Sequence, residues 1–357
     1  MTLLLFLAGL ALLILGAELM VRGASRLSLS LGIAPLVVGL TVVSFGTSAP
    51  ELAISVKSAL GGQADLALGN VVGSNIFNVL FILGLSALVA PLVVDRQLVR
   101  QDVPILIAAS LLVGGMAFDR DISRGDGAVL VLLLVAYTGL LYWSSRRAAP
   151  AELEDPLVVG ADSPWLSRLW VQLLLIVAGL ALLVLGSRWL VAAAIDMATA
   201  LGVSPLVIGL TIVSAGTSLP EVATSVVAAA RGEREIAVGN VIGSCIFNLL
   251  AVLGISALVA PQGLGVPGAL LAFDLPVMFA VAVACLPVLF TGHRIGRAEG
   301  ALFLAYYVFY VTYLVLFARD HAALDEFSLV MSVVVIPLTV FTLVVVAWRE
   351  LRPRHRA

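Results

Sequence analysis

Apolar runs long enough to span a bilayer follow one another along most of the chain: 3–21, 33–58, 67–93, 102–118, 126–143, 170–190, 203–229, 236–260, 270–290, 299–317 and 327–347. A hydrocarbon core of about 30 Å takes about 20 mostly apolar helical residues to cross. An all-α polytopic membrane protein of about 11 transmembrane helices is therefore expected. Composition agrees: of 357 residues, 61% are apolar and 12% charged, against roughly 45–50% and 25% in soluble domains. A net charge of −2 excludes a general nucleic-acid partner, whose footprint is basic. Cys245 and Cys285 both lie in apolar runs and imply neither a disulfide framework nor a metal cluster.

The long polar stretch 144–168, with Arg146, Arg147, Glu152, Glu154, Asp155 and Asp162, is too short for a domain and reads as a linker. The first run resembles a secretory signal, but it lacks a basic start and contains Glu18, so it stays in the mature chain. With these spans, fifteen Lys/Arg residues fall on one side and five on the other. The positive-inside rule then puts the N-terminus outside and the linker and C-terminus in the cytoplasm of a cytoplasmic (inner) membrane protein. Every basic residue is expected in a loop or at a span end.

Residues 39–91 and 209–261 align without a gap at an offset of 170, with 33 of 53 positions identical. Five spans, an odd number, separate equivalent positions, so the second copy enters the membrane from the opposite face. That is an inverted-topology repeat, as in many secondary transporters, where substrates bind near the midplane at broken helices. The expected division is a first five-helix half (1–143), a cytoplasmic linker (144–168), a second inverted half (169–317), and an extra peripheral helix with a basic tail (318–357).

Glu51 is the single charged residue between Arg26 and Lys57, and Glu221 the single one between Asp196 and Arg231. An ionisable side chain deep in a bilayer costs several kcal/mol or so unless it faces a partner or a watery cavity. The repeat makes the two equivalent, so the pseudo-twofold axis should bring them together. Two confined carboxylates repel unless cations compensate. The bland alternative is a neutral pair that seals helix contacts.

Local residues favour an ion site. Pro50 and Pro220 remove helical N–H groups and free the carbonyls four residues earlier, at Gly46 and Gly216. Thr47, Ser48 and Glu51 share one helical face, as do Thr217, Ser218 and Glu221. Ser74 and Asn78, then Ser244 and Asn248, are i, i+4 pairs on the next helices. Gly69 and Gly73, with Gly239 and Gly243, offer small-xxx-small spacing for close helix approach. All these donors are oxygens, which suit Ca²⁺ and Na⁺ but not soft metals. Asp102 and Asp274, each two residues before a proline, are expected at helix starts, where the dipole favours them. Glu18 and Arg22 read as a structural i, i+4 pair.

GTSAPE with GNVVGSNIFN, and GTSLPE with GNVIGSCIFN, resemble the two alpha repeats of the cation/Ca²⁺ antiporter superfamily, specifically its prokaryotic Na⁺/Ca²⁺ exchanger family. The resemblance covers 1–317 and implies a five-plus-five helix fold that exchanges Na⁺ for Ca²⁺ by alternating access, with the first and sixth helices sliding across the rest. It implies Glu51 and Glu221 as principal Ca²⁺ ligands, with oxygens from Thr47, Ser48, Ser74, Asn78, Thr217, Ser218 and Ser244 and the carbonyls of Ser44 and Ser214. Asn248 stands where many members carry Asp; it offers an oxygen without a charge and leaves the coupling ion and stoichiometry open. Cys245, in place of the Asn at 75, is expected to pack outside the site.

The expected partners are thus Ca²⁺, Na⁺ and the lipid bilayer, with no cofactor and no enzymatic role. The nearest alternative is a Ca²⁺/H⁺ antiporter of the same superfamily, then a K⁺-dependent exchanger or a passive cation channel. Members coupled to H⁺ usually carry an acid after GN, where this chain has Val72 and Gly73, and Ile242 and Gly243. An intramembrane Ser-His hydrolase lacks its histidine: His293, His321 and His355 lie outside the repeats.

Overall fold

The computed structural model describes residues 2–147, 168–201, 214–290, 293–319 and 321–351. Helix α1 (Thr2–Leu31) runs ten residues past its apolar run, because no breaker precedes Gly32, whose φ of 65° ends it in the left-handed region that glycine tolerates. A bent pair follows, α2 (Pro35–Thr47) and α3 (Ala49–Leu60), at 46° to each other, and then α4 (Ala64–Val89), α5 (Leu98–Asp119) and α6 (Arg124–Ser145). The second half opens with α7 (Leu169–Ala200). The turn Ser214–Gly216 leads to α8 (Leu219–Ala230), α9 (Arg234–Val259), α10 (Leu270–Leu289) and α11 (Arg297–Ala318). One further helix follows, with its candidate span α12 over Leu324–Thr342 and its helical residues running on to Leu351.

Among the described residues nine helices are long and apolar enough to cross a membrane, or ten with α2–α3 as one span. Helix α8 is the described part of the 203–229 run. Residues 203–213, most of the 144–168 stretch, and Arg352, Arg354 and Arg356 lie outside the described residues. The all-α, five-plus-five inverted arrangement with one added helix is the fold observed.

Equivalent turns follow α3 and α8. Gly62 and Gly232, at φ 72° and 86°, occupy the C′ position of a Schellman motif. Gln63 N–H donates to Ser58 O at 2.8 Å and Glu233 N–H to Ala228 O at 2.9 Å. Loops of the two halves meet pairwise at two antiparallel stubs. Strand β1 (Leu92–Val93) pairs with β4 (Arg294–Ile295), and β2 (Asp121–Ile122) with β3 (Leu264–Gly265).

The longest helices, α1 and α7, pack antiparallel with backbones nearly touching. A Cβ on Gly9 would lie 2.9 Å from Gly186 O, and one on Gly16 would lie 2.7 Å from Gly179 O. The pairs interchange under the 170-residue offset, so one contact generates the other. Helices α4 and α9 form the enclosed centre, with 78% and 89% of their apolar windows buried; α12 has 0% and is peripheral.

Two local expectations are corrected. Arg22, Arg26 and Arg188 lie inside α1 and α7 rather than at their ends. At about 1.5 Å per residue, these 30- and 32-residue helices are about 45 Å long, and their basic segments overrun a 30 Å core. Asp102 and Asp274 do not cap helices either, because π-helical turns Leu98–Asp102 and Leu270–Asp274 extend those helices upstream. They accept instead from Tyr137 OH at 3.1 Å and Tyr310 OH at 2.8 Å.

Candidate ion-binding site

Each half interrupts its second crossing at a serine. Ser48 has φ −82° and ψ 5°, and Ser218 has φ −88° and ψ 9°; each precedes a helix with proline in its first two positions. Proline there needs no N–H, so the new helix starts with one unsatisfied donor fewer. A serine before a helix ordinarily accepts from that helix's own N–H groups. Neither does so, and both hydroxyls are free to point elsewhere.

They cross to the other half. Ser48 Oγ donates to Glu221 Oε1 at 3.0 Å, and Ser218 Oγ donates to Glu51 Oε1 at 2.8 Å. The two bonds are images of each other under the repeat. Glu51 is 1% exposed and Glu221 0%, so two carboxylates sit together in the protein centre as expected. Ser74 Oγ is 3.3 Å from Ser218 Oγ. Cys245 Sγ, 3.8 Å from Asn75 O, joins two equivalent positions and so marks the pseudo-twofold axis.

A second symmetric layer holds the threonines. Thr47 Oγ1 donates to Asn240 Oδ1 at 3.1 Å, and Thr217 Oγ1 to Asn70 Oδ1 at 3.5 Å. Asn70 Nδ2 in turn donates to Ser55 Oγ at 2.9 Å, and Asn240 Nδ2 to Ser225 Oγ at 2.8 Å. Asn70, Asn240, Ser55 and Ser225 are not among the residues expected from the sequence. Their signal is present there, since each is identical between the repeats, and Asn70 and Asn240 are the asparagines of the GN pairs.

Ser44 lies one turn before the break; its carbonyl accepts Ser48 N–H at 3.0 Å, and its hydroxyl donates to Leu40 O at 2.7 Å. Ser214 opens the short turn before α8. The Gly216 carbonyl, freed by Pro220, accepts Ser187 Oγ at 2.7 Å. Close helix approach occurs where expected for Gly239 and Gly243, at which an added Cβ would meet Leu36 O at 2.8 Å and Leu40 O at 2.7 Å. The equivalent partners of Gly69 and Gly73, residues 206 and 210, lie outside the described residues.

Several buried atoms here have no hydrogen-bond partner: Glu51 Oε2, Glu221 Oε2, Ser244 Oγ, and both amide atoms of Asn78 and Asn248. Such atoms are rare and costly in a native interior. Both asparagines begin π-helical turns, Asn78–Leu83 and Asn248–Val252, a distortion frequent at functional sites. Two carboxylate, two amide and one hydroxyl oxygen left unsatisfied make a donor set suited to a hard cation, Ca²⁺ taking six to eight oxygens. Among the described residues no group of three or more His, Cys, Asp or Glu side chains could hold a metal, so this set carries two acids only.

The symmetry is imperfect in exposure. Thr47 and Asn240 are fully buried, whereas Thr217 and Asn70 are half-buried. Around the turn between α8 and α9, Glu18 accepts from Arg22 Nε at 2.6 Å and from Arg231 Nε at 2.9 Å, and Ser25 Oγ donates to Glu233 at 2.6 Å. The equivalent positions on the other side are Arg188, Ala192, Gly61, Ile195 and Gln63, which cannot repeat those contacts.

The family model described as "Sodium/calcium exchanger protein" matches residues 1–143 and 171–316. The chain belongs to the sodium/calcium exchanger family. Among curated relatives, this exchanger is 39% identical to the putative antiporter CaxA of Alkalimonas amylolytica, over 85% of its own length and 95% of the relative's. It is 34% identical to the sodium/calcium exchanger MaX1 of Methanosarcina acetivorans, over 87% and 97%. A solved structure of the sodium-calcium exchanger NCX_Mj superposes with a TM-score of 0.74 at 29% identity, covering 87% of this chain and 97% of that one. The exchanger is accordingly a multi-pass membrane transporter.

Proposed function

We propose that this protein is a secondary active antiporter that exchanges Ca²⁺ for Na⁺ across the cytoplasmic membrane by alternating access. The observation that carries the reading is the doubled cage in which Glu51 and Glu221, each held by a serine of the other half, are surrounded by unpartnered oxygens. In this reading Glu51 and Glu221 are the principal Ca²⁺ ligands. Thr47, Ser48, Ser74, Asn78, Thr217, Ser218, Ser244 and Asn248 add side-chain oxygens for Ca²⁺ or Na⁺, and Ser44 and Ser214 add carbonyls. Relatives and a solved structure whose names specify sodium/calcium exchange support the choice of ions.

The mechanism follows from electrostatics. Two bare carboxylates in a low-dielectric centre resist any rearrangement that seals them from water. A bound Ca²⁺ or bound Na⁺ removes that obstacle, so filled states interconvert and empty ones do not, which enforces exchange over leak. The sliding pair is α1 with α7, whose glycine contacts make one two-helix body. The N-terminus lies outside and the C-terminus in the cytoplasm. The halves are 1–143 and 169–317, joined by a cytoplasmic linker 144–168, with 318–357 an added helix and basic tail.

The test is Ca²⁺ uptake into proteoliposomes under an imposed Na⁺, K⁺ or H⁺ gradient. Uptake driven by outward Na⁺, and abolished in Glu51→Gln plus Glu221→Gln, is expected. Flux driven by H⁺ alone, or unchanged in the double variant, overturns the reading.

A further inference from the structure

We propose that the cavity between α10, α11 and α12 is a binding site for one acyl chain of a bilayer lipid. The cavity measures about 490 Å³, larger than the apolar cavity of about 150 Å³ that takes up benzene in a soluble protein. It reaches from Phe273 to Val288 along α10 and from Phe327 to Val340 along α12. At about 1.5 Å per residue each stretch runs about 20 Å, so the cavity is elongated in the direction of the helices. One leaflet supplies about half of a 30 Å hydrocarbon core, and a single extended tail fits that length.

Water does not suit the space. A buried water needs about two to four polar partners, and the hydroxyls here are already engaged. Ser328 Oγ donates to Leu324 O at 2.7 Å, Ser332 Oγ to Leu329 O at 3.2 Å and Thr339 Oγ1 to Val335 O at 2.7 Å. Tyr306 OH pairs with Thr339 Oγ1, and Tyr310 OH donates to Asp274 at 2.8 Å. The remaining lining hydroxyl belongs to Tyr313, at one end of the cavity, where its ring stacks on Phe273 at 4.0 Å. Among the described residues that line the cavity none is charged, so a hydrocarbon tail fits and a charged ligand does not.

The space is continuous with the lipid-facing surface of this multi-pass protein, because Leu302, Ile336 and Val340 both line it and are exposed. A tail therefore enters from the bilayer without crossing water. Its far wall is Leu80, a buried residue of the π-helical turn Asn78–Leu83. Tyr307 of α11 packs edge-on against Phe77 and Phe81 beside that turn, at 5.2 and 5.4 Å. The tail thus lies between the peripheral α12 and the back of the turn that carries Asn78, and it supplies packing there that α12 does not.

The experiment uses the full chain in vesicles of phosphatidylcholine with a photoactivatable diazirine midway along one tail. After illumination, adducts are mapped to residues by tandem mass spectrometry. Leu80 is diagnostic because it is buried and borders the cavity, whereas the exposed Leu132 and Val135 of α6 report ordinary surrounding lipid. The expected result is adducts at Leu80 and Val281 that fall severalfold in Ala284→Trp, whose indole fills the cavity, with those at Leu132 and Val135 unchanged. Ala280→Trp fills the same cavity one turn away and takes the place of Ala284→Trp if that variant does not fold. Labelling of Leu132 without any at Leu80 overturns the proposal. So does labelling of Leu80 that persists in a tryptophan variant with an unchanged thermal midpoint. Leu80 left unlabelled in a protein that light scattering shows to be a dimer would assign the cavity to a second copy of the chain and overturn it as well.

Discussion

Ser218 of the second half donates its hydroxyl hydrogen to Glu51 of the first at 2.8 Å, and Ser48 returns the same bond to Glu221 at 3.0 Å. Each glutamate is therefore held by a residue that lies across the pseudo-twofold axis. The break in each crossing helix is what turns the serine outward.

Removal of either serine should weaken cation binding by comparable amounts. A hydrogen bond to a charged group contributes about 1.5–3 kcal/mol, or about tenfold to a hundredfold in affinity. Calorimetric Ca²⁺ titration of Ser48→Ala and Ser218→Ala should show that loss in both. A loss confined to one variant would mean that the cage is not functionally symmetric, whatever its geometry.

The α1–α7 contact predicts sensitivity to a single methyl group. In Gly16→Ala the new Cβ would sit 2.7 Å from Gly179 O, a backbone atom that cannot move aside alone. Overpacking of this kind costs about 1–3 kcal/mol, seen as a lower thermal midpoint in detergent and reduced transport. Gly114→Ala, where the added atom meets open space, is the control and should leave the midpoint unchanged or slightly raised. Equal behaviour of the two would argue against backbone contact between α1 and α7.

Glu18 bridges Arg22 and Arg231 at the α8–α9 turn, on one side of the protein alone. Arg231→Gln should loosen that side. Both arginine side chains are 59% exposed, so solvent screening limits the bridge to about 0–1 kcal/mol, an up to fivefold change in opening. Hydrogen exchange across the last two turns of α1 should speed up by that factor. A peptide-level exchange rate identical to the unsubstituted protein's would show that the bridge does not hold that side together.

The repeat, the broken crossings and the two glutamates are legible in the amino-acid order because they leave local marks: identity at a fixed offset, proline after serine, and an isolated charge in an apolar run. Contacts between the halves leave no such mark. The offset pairs residue 51 with residue 221, yet the bond runs from 48 to 221, and that shift is set by where the axis lies in space. Asn70 and Asn240 are visible as repeated letters, but their task of steadying Thr217 and Thr47 depends on α4 and α9 crossing the opposite half. Helix ends are hidden where polar residues continue a helix past its apolar run, as Arg22 and Arg26 do in α1. The bridge from Glu18 to Arg231 is equally hidden, because it breaks the symmetry that the repeat announces.

The exchange of serine–glutamate bonds between halves bears on ancestry. A single five-helix unit would hold a glutamate with no serine to orient it and a serine with no glutamate to receive it. Before duplication, such a unit could build this cage only as two copies inserted in opposite directions. Fusion through the intervening residues would then have made permanent an antiparallel homodimer, after which asymmetric features such as Arg231 could arise on one face alone.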